Sequence, residues 1–174
     1  DMYHVYTVDE HTIRAVGVLA GIERGDYAET LPLATGIIHE VLSRRVLYLA
    51  TFLHDIAKGR DGDHSQLGAA IAVELGPRMG LSAEEVEQTA WLVRRHLLFS
   101  NTAFRRDLGD PKTVDDFVAE VQSQESLRLL LVLTAADIRA VGPTVWNAWK
   151  GALLRQLYTL AAEVMSGGHA AEEK

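Results

Sequence analysis

The stretch LYLATFLHDIAKGRDGDHS, residues 47–65, decides how the chain is read. With Val46 it opens on a nearly unbroken apolar run to Leu53, which passes equally for a buried strand or a buried helix. The flanks separate the two. No turn pair brackets the run, and the pattern continues at helical spacing to Lys58, with Gly59 as a stop signal. The stretch is therefore predicted as a helix over 45–58, buried nearly all round. An imidazole and a carboxylate, His54 and Asp55, follow the run directly. Burying an unpaired carboxylate is costly, so Asp55 requires a cation, a set of hydrogen bonds or a metal ion.

Outward from this stretch the chain reads as helix after helix. Thr7 and Glu10 have capping-box spacing ahead of Ile13, Val16 and Ala20. Leu33, Ile37 and Val41 mark a second helix. Ser65 is the predicted cap of a helix running towards Gly80, with a break or kink at Pro77. Ser82 and Glu85 form another capping box before Val86, Ala90, Val93 and Leu97. Asp110 and Pro111 are an N-cap and N1 pair ahead of Val114, Phe117 and Val121. Ser123 or Ser126 starts a long helix through Leu127, Leu130, Thr134 and Ile138, closed by Gly142 and Pro143. Thr144 opens the last, through Trp146, Trp149, Leu153, Leu157 and Leu160. The predicted architecture is all-α, one helical bundle of about seven to nine helices. Residues 1–166 form the domain and 167–174, small and charged, a flexible tail. Tyr3, Tyr6, Trp91, Trp146 and Trp149 read as core.

Composition narrows the function. The chain has 174 residues, 48% hydrophobic, enough for one real core. A net charge of −7 argues against a bulk nucleic-acid binder. No apolar run reaches the ~18 residues of a membrane span, so no membrane partner is expected. The absence of cysteine removes disulfides, zinc–thiolate sites and a thiol nucleophile, and suits a reducing, cytoplasmic setting.

Metal-capable residues are the remaining signal. Of seven histidines, His39 and His169 read as bystanders and His4 as structural. The others stand at predicted helix ends or beside acids: His11 in TVDEHT, His54 in LHDIAKG, His64 in GDHS, His96 in VRRHLL. Asp137 stands in LLLVLTAADIRAV, the most apolar stretch of the chain, and like Asp55 needs a partner there. A divalent metal ion held by His and Asp would neutralise both carboxylates. Nitrogen and oxygen donors without sulfur fit Mn, Fe, Mg, Co or Zn without choosing among them.

A His, then His-Asp, then a distant Asp, all on predicted helices, resembles the HD metal-dependent phosphohydrolases. On that resemblance His11, His54, Asp55 and Asp137 are metal ligands. Lys58 matches members with a lysine three residues after the Asp, and His64 and His96 match the extra histidines of two-metal members. YTVDEHT, FLHDIAKG, GDHS, TAWLVRRHLLFS, RRD, LTAADIRA, WNAWK and LLRQLY also occur in this order in one family, the bifunctional uridylyltransferase/uridylyl-removing enzymes. The resemblance spans Met2 to Tyr158 and covers only that family's HD region. The Gly-Ser that precedes the paired aspartates of its nucleotidyltransferase region does not occur here, the pair Asp61 and Asp63 in DGD lacks that context, and the family's ACT domains are absent. The chain thus reads as an excised uridylyl-removing module.

The resemblance implies a substrate, the phosphodiester joining UMP to a tyrosine of the PII nitrogen-signalling protein. It also implies the reaction, attack on phosphorus by a metal-activated hydroxide. Metal ions neutralise phosphoryl oxygens and lower the pKa of bound water, and a phenol of pKa near ~10 leaves with little help. Asp55 and Lys58 are the expected catalytic residues. Lys58, Arg105 and Arg106 are expected to bind substrate phosphate or an acidic surface of the partner. Two alternatives remain at this level: a general HD phosphohydrolase of free nucleotides or nucleotide messengers, and a regulatory module with an inactive site.

Overall fold

The structure is a computed structural model that describes residues 2–56 and 64–172, with side chains described over 10–56 and 64–167. Its described residues form helices and turns, with no strand among them. The helices are α1 (Met2–Arg24), α2 (Pro32–Ile37), α3 (Arg44–Leu53), α4 (His64–Arg78), α5 (Ala83–Arg94), α6 (Leu98–Arg105), α7 (Pro111–Val121), α8 (Gln124–Val141) and α9 (Ala148–Glu172).

The core is organised around α8. Its consecutive residues from Leu129 to Ala136 are all buried, as expected of a helix apolar on every side. It packs against α1, α2, α3, α5, α6, α7 and α9, while α4 pairs with α5 and α3 on the outside. The ambiguous run 46–53 is helical and buries Val46, Leu47, Leu49, Ala50, Thr51 and Leu53. Phe52 remains half exposed, so this helix has a wet side after all.

Local signals set several boundaries. The Ser82 side chain accepts from Glu85 N–H while the Glu85 side chain accepts from Ser82 N–H, the reciprocal box. Asp110 accepts from Lys112 N–H ahead of Pro111. Ser123, rather than Ser126, caps α8, accepting from Ser126 N–H.

Other boundaries differ from the expectation. α1 begins at Met2, so Thr7 and Glu10 lie inside it; no glycine or proline interrupts residues 2–16. Its buried face is Ala15, Val18, Leu19 and Ile22, the face that meets the core, and Ile13 is exposed. α2 ends at Ile37, short of Val41. α3 ends at Leu53 with His54 as its C-cap, and residues 54–56 form a turn, so the helix stops short of the expected Lys58; residues 57–59 lie outside the described residues. α4 starts at His64, not after Ser65, and includes Pro77 in its last turn. Arg95 leaves helical geometry (φ −109°, ψ 20°), which separates α5 from the unanticipated α6 and leaves Leu97 exposed. α9 opens at Ala148, not Thr144: the Asn147 side chain accepts from Lys150 N–H. Trp149 consequently faces solvent, 64% exposed, and is not core. α9 also runs to Glu172, through the segment read as a tail.

Candidate metal centre

His54 reaches the site because α3 delivers it there. It follows a helix anchored by six buried residues, and it is itself fully buried. Its Nδ1 lies against the carbonyl of Thr51, one turn back. A carbonyl only accepts, so Nδ1 carries a proton and Nε2 is the atom presented to the site. His96 repeats the device from the end of α5: Nδ1–H donates to the carbonyl of Val93 at 2.8 Å, again three residues back. Sequence reading missed both carbonyls, because a backbone acceptor leaves no residue-type signal.

Four elements of very different sequence position converge. His11 from α1 places Nε2 2.7 Å from Asp137 Oδ1 of α8, a pair 126 residues apart. His54 Nε2 lies 3.1 Å from the same oxygen and 3.3 Å from Asp55 Oδ2. His11 Nε2 is 3.8 Å from Asp55 Oδ2. The other oxygen of Asp55, Oδ1, faces His96 Nε2 at 3.8 Å. Within this set, the donor atoms of His11, His54, Asp55 and Asp137 all lie within 4.8 Å of one another. Asp55, His64 and His96 form a second group by the same measure, so Asp55 belongs to both. The His64 and His96 rings are 6.1 Å apart, centre to centre.

The electrostatics follow from burial. Burial disfavours the charged imidazolium of His54, but hydrogen bonds to Asp137 and Asp55 outweigh it and raise its pKa to about 10. Burial alone would raise Asp137, yet hydrogen bonds from His11 and His54 hold its carboxyl well below the usual carboxylate range. Asp55 is likewise lowered, against burial, by His54. Burial lowers His96 below the ordinary histidine value. His96 is thus neutral at pH 7, with its single proton on Nδ1. Its Nε2 lone pair and the Asp55 carboxylate are two acceptors facing each other at 3.8 Å. Such a pair repels unless a cation lies between. Histidines are the sole ion-pair partners of Asp55 and Asp137 among the described residues. The donor set therefore fits a divalent ion: both carboxylates need positive charge, and the locked histidines turn Nε2 towards them.

Of the remaining sequence candidates, Lys58 lies outside the described residues. Arg105 and Arg106 are exposed at the far end of α6, and Arg106 pairs with Asp116 at 3.1 Å. His39 is exposed and contacts Arg44, away from the site.

The sequence profile of the HD domain matches residues 8–141, more than half of the chain. The chain belongs to the HD domain family. Relatives of this HD domain are long proteins. It is 65% identical over 172 residues to the bifunctional uridylyltransferase/uridylyl-removing enzyme of Azospirillum brasilense, covering 99% of this chain and 18% of the relative. The enzyme of the same name from Novosphingobium aromaticivorans is 65% identical, over 97% of the chain and 18% of the relative. That from Rhodospirillum rubrum is 60% identical, over 100% and 19%. The HD domain thus spans less than a fifth of the curated relatives it matches. Its profile begins just before His11 and ends just after Asp137, so both outer members of the four-residue group fall inside it. No helix among the described residues is long and apolar enough to cross a membrane.

Proposed function

We propose that this HD domain is a metal-dependent phosphodiesterase that removes UMP from uridylylated tyrosine of the PII signalling protein. The observation that carries this is the His11–His54–Asp55–Asp137 group, in a chain 60–65% identical to enzymes named for uridylyl removal. His11, His54, Asp55 and Asp137 would hold one ion. Asp55, with its two oxygens turned to two groups, would share itself with a second ion held by His64 and His96. Mn, Fe, Mg, Co and Zn all suit these donors. When bound, such ions neutralise phosphoryl oxygens and make a water acidic enough to act as nucleophile near neutral pH.

The residues supply the rest. Thr51 and Val93 carbonyls fix which nitrogen His54 and His96 present, so no rotation precedes binding. The apolar packing behind His54 keeps water off that side, which strengthens each electrostatic contact in the site. The half-open edge at His11 and Asp137 leaves a way in for a phosphodiester on a protein surface. Displacement at phosphorus breaks the P–O bond to tyrosine and gives UMP and a phenolate. With a leaving-group pKa of ~10, no strong general acid is required. Lys58, Arg105 and Arg106 are the proposed phosphate and partner contacts, the two arginines acting through the protein partner rather than the metal group.

The test is substrate choice. Uridylylated PII incubated with the chain and Mn should release UMP and unmodified PII, while free UTP, ATP and cyclic dinucleotides should turn over far more slowly. Faster hydrolysis of a free nucleotide than of uridylylated PII would reassign the domain to a general HD phosphohydrolase.

A further inference from the structure

Thr134 interrupts the most apolar helix of the protein. Every other residue of α8 from Leu129 to Ala136 is apolar and buried. Thr134 is buried among them, 2% exposed, and its hydroxyl has no hydrogen-bond partner among the described residues. Other helical threonines here return their proton to the carbonyl four residues back: Thr35 to Leu31 at 2.7 Å, Thr51 to Leu47 at 2.8 Å and Thr89 to Glu85 at 2.8 Å. Thr134 makes no such bond. Glu125 Oε1 is also buried without a hydrogen bond, but it lies 3.7 Å from the Arg128 guanidinium, which supplies its counter-charge. A buried hydroxyl with no partner destabilises a fold, and valine has the same shape without that penalty. Packing alone therefore does not call for threonine at this position.

Asp137 lies three residues further along α8, about 60° around the helix and about 4.5 Å along it. Side chains three apart are neighbours, and each leans towards the helix N-terminus, so the Asp137 carboxylate leans over the turn that carries Thr134. Both histidines meet Asp137 through Oδ1, His11 at 2.7 Å and His54 at 3.1 Å, and no described residue donates to Oδ2. A hydroxyl without an acceptor and a carboxylate oxygen without a donor thus stand on adjacent turns of one helix. At 2% exposure Thr134 has no surface to offer a substrate, so its effect has to pass through a neighbour.

Given that His11, His54, Asp55 and Asp137 hold an ion, we propose that Thr134 is a positioning residue for that centre: its hydroxyl donates to Oδ2 of Asp137 and holds Oδ1 towards the ion. The bond forms as Asp137 exchanges its two histidine contacts for the ion. With Oδ2 anchored, the carboxylate no longer swings about its terminal torsion. Carboxylate ligands are commonly fixed by such outer hydrogen bonds, and losing one costs ~10–100-fold in metal affinity.

The test is calorimetric titration of the chelator-stripped chain with manganese chloride, beside thermal melts with and without Mn. Thr134→Val keeps the shape and deletes the hydroxyl. The stripped variant should melt at or above the wild-type temperature, because an unsatisfied buried group is gone. Its Mn Kd should nevertheless rise ~10–100-fold, and the gain in melting temperature on adding Mn should shrink. Thr134→Ser keeps the hydroxyl and should bind Mn as the wild type does. A threonine that serves packing only would behave in the opposite way: Thr134→Val would lower the melting temperature of the stripped protein and leave Mn affinity intact, which overturns the proposal. Thr134→Ser binding as weakly as Thr134→Val overturns it too, since the loss would then follow the methyl group and not the hydroxyl. A wild-type chain that binds no Mn would end the metal reading and this role with it, whereas wild-type affinity in Thr134→Val would end only the role of Thr134.

Discussion

At the scale of the residue, Asp55 carries the most. One oxygen faces His11 and His54, the other His96, and no other described side chain belongs to both groups. Asp55→Asn keeps the volume and removes the charge. It should empty both groups of metal and lower the proposed uridylyl removal by at least ~10³-fold, several kcal/mol of lost charge stabilisation. His39→Ala should leave both unchanged. Elemental analysis beside a UMP-release assay reads this, and full metal content in Asp55→Asn would refute the shared-ligand role. His54 makes a second prediction. Its pKa is raised to about 10, so at pH 7 the metal-free imidazole holds a proton on Nε2 as well as Nδ1. Coordination needs the Nε2 lone pair, so binding an ion expels that proton. The competing proton is lost as pH rises, so metal affinity should climb up to ~10-fold per unit between about pH 7 and 9, and level off near 10. Titration in buffers of different ionisation enthalpy counts the proton; affinity flat with pH would contradict the assignment.

At the scale of the element, the metal groups depend on how closely α4 meets α3 and α5. Gly68 lies one turn beyond His64. A Cβ there would stand 2.9 Å from Val93 Cγ1 and 3.3 Å from the Leu53 carbonyl. Those neighbours adjoin the residues that matter: the Val93 carbonyl holds His96, and Leu53 precedes His54. Gly68→Ala should therefore wedge α4 outward, destabilising by ~1–3 kcal/mol. It should reduce occupancy of the group containing His64 before that of the other. Denaturant melts and metal stoichiometry measure the two effects separately. A different correction is available between α7 and α8. Gln122 has φ 71°, in the left-handed region, and ends α7. Gln122→Gly should relieve that strain and raise stability by up to ~1 kcal/mol, with activity unchanged. A lower melting temperature would show that the Gln122 side chain contributes more than its backbone costs.

At the scale of the whole molecule, the metal group is a tie between distant parts of the chain. His11 and Asp137 are 126 residues apart, and His54 and Asp137 are 83 apart. An ion bound there stabilises only the folded arrangement. At one hundred times its Kd it adds ~2.7 kcal/mol, or about 5–10 °C in melting temperature for a domain of this size. Chelation should remove that increment and the proposed UMP-releasing activity together, and restored metal should return both. Activity that persists after confirmed metal loss would rule out the proposed chemistry.

The periodicity of the apolar residues determined that the fold is all-α, because burying one face every 3.6 residues is a local rule. Capping chemistry determined the starts at Ser82 and Asp110, since each cap bonds within its own first turn, and narrowed the start of α8 to Ser123 or Ser126. The oddity of Asp55 and Asp137 in apolar sequence determined that both needed partners, because burial of a bare charge is prohibitive. Tertiary structure decided what those partners are. Nothing local says that His11 meets Asp137, or that the two oxygens of Asp55 face different histidines; packing of α1, α3 and α5 on α8 does. The break at Arg95 carries no glycine or proline to announce it. It turns His96 inward to 3% exposure and Leu97 out, a choice made by what the surrounding helices leave room to bury. Trp149 was legible as apolar but not as exposed, because exposure belongs to the neighbours a residue acquires and not to the residue.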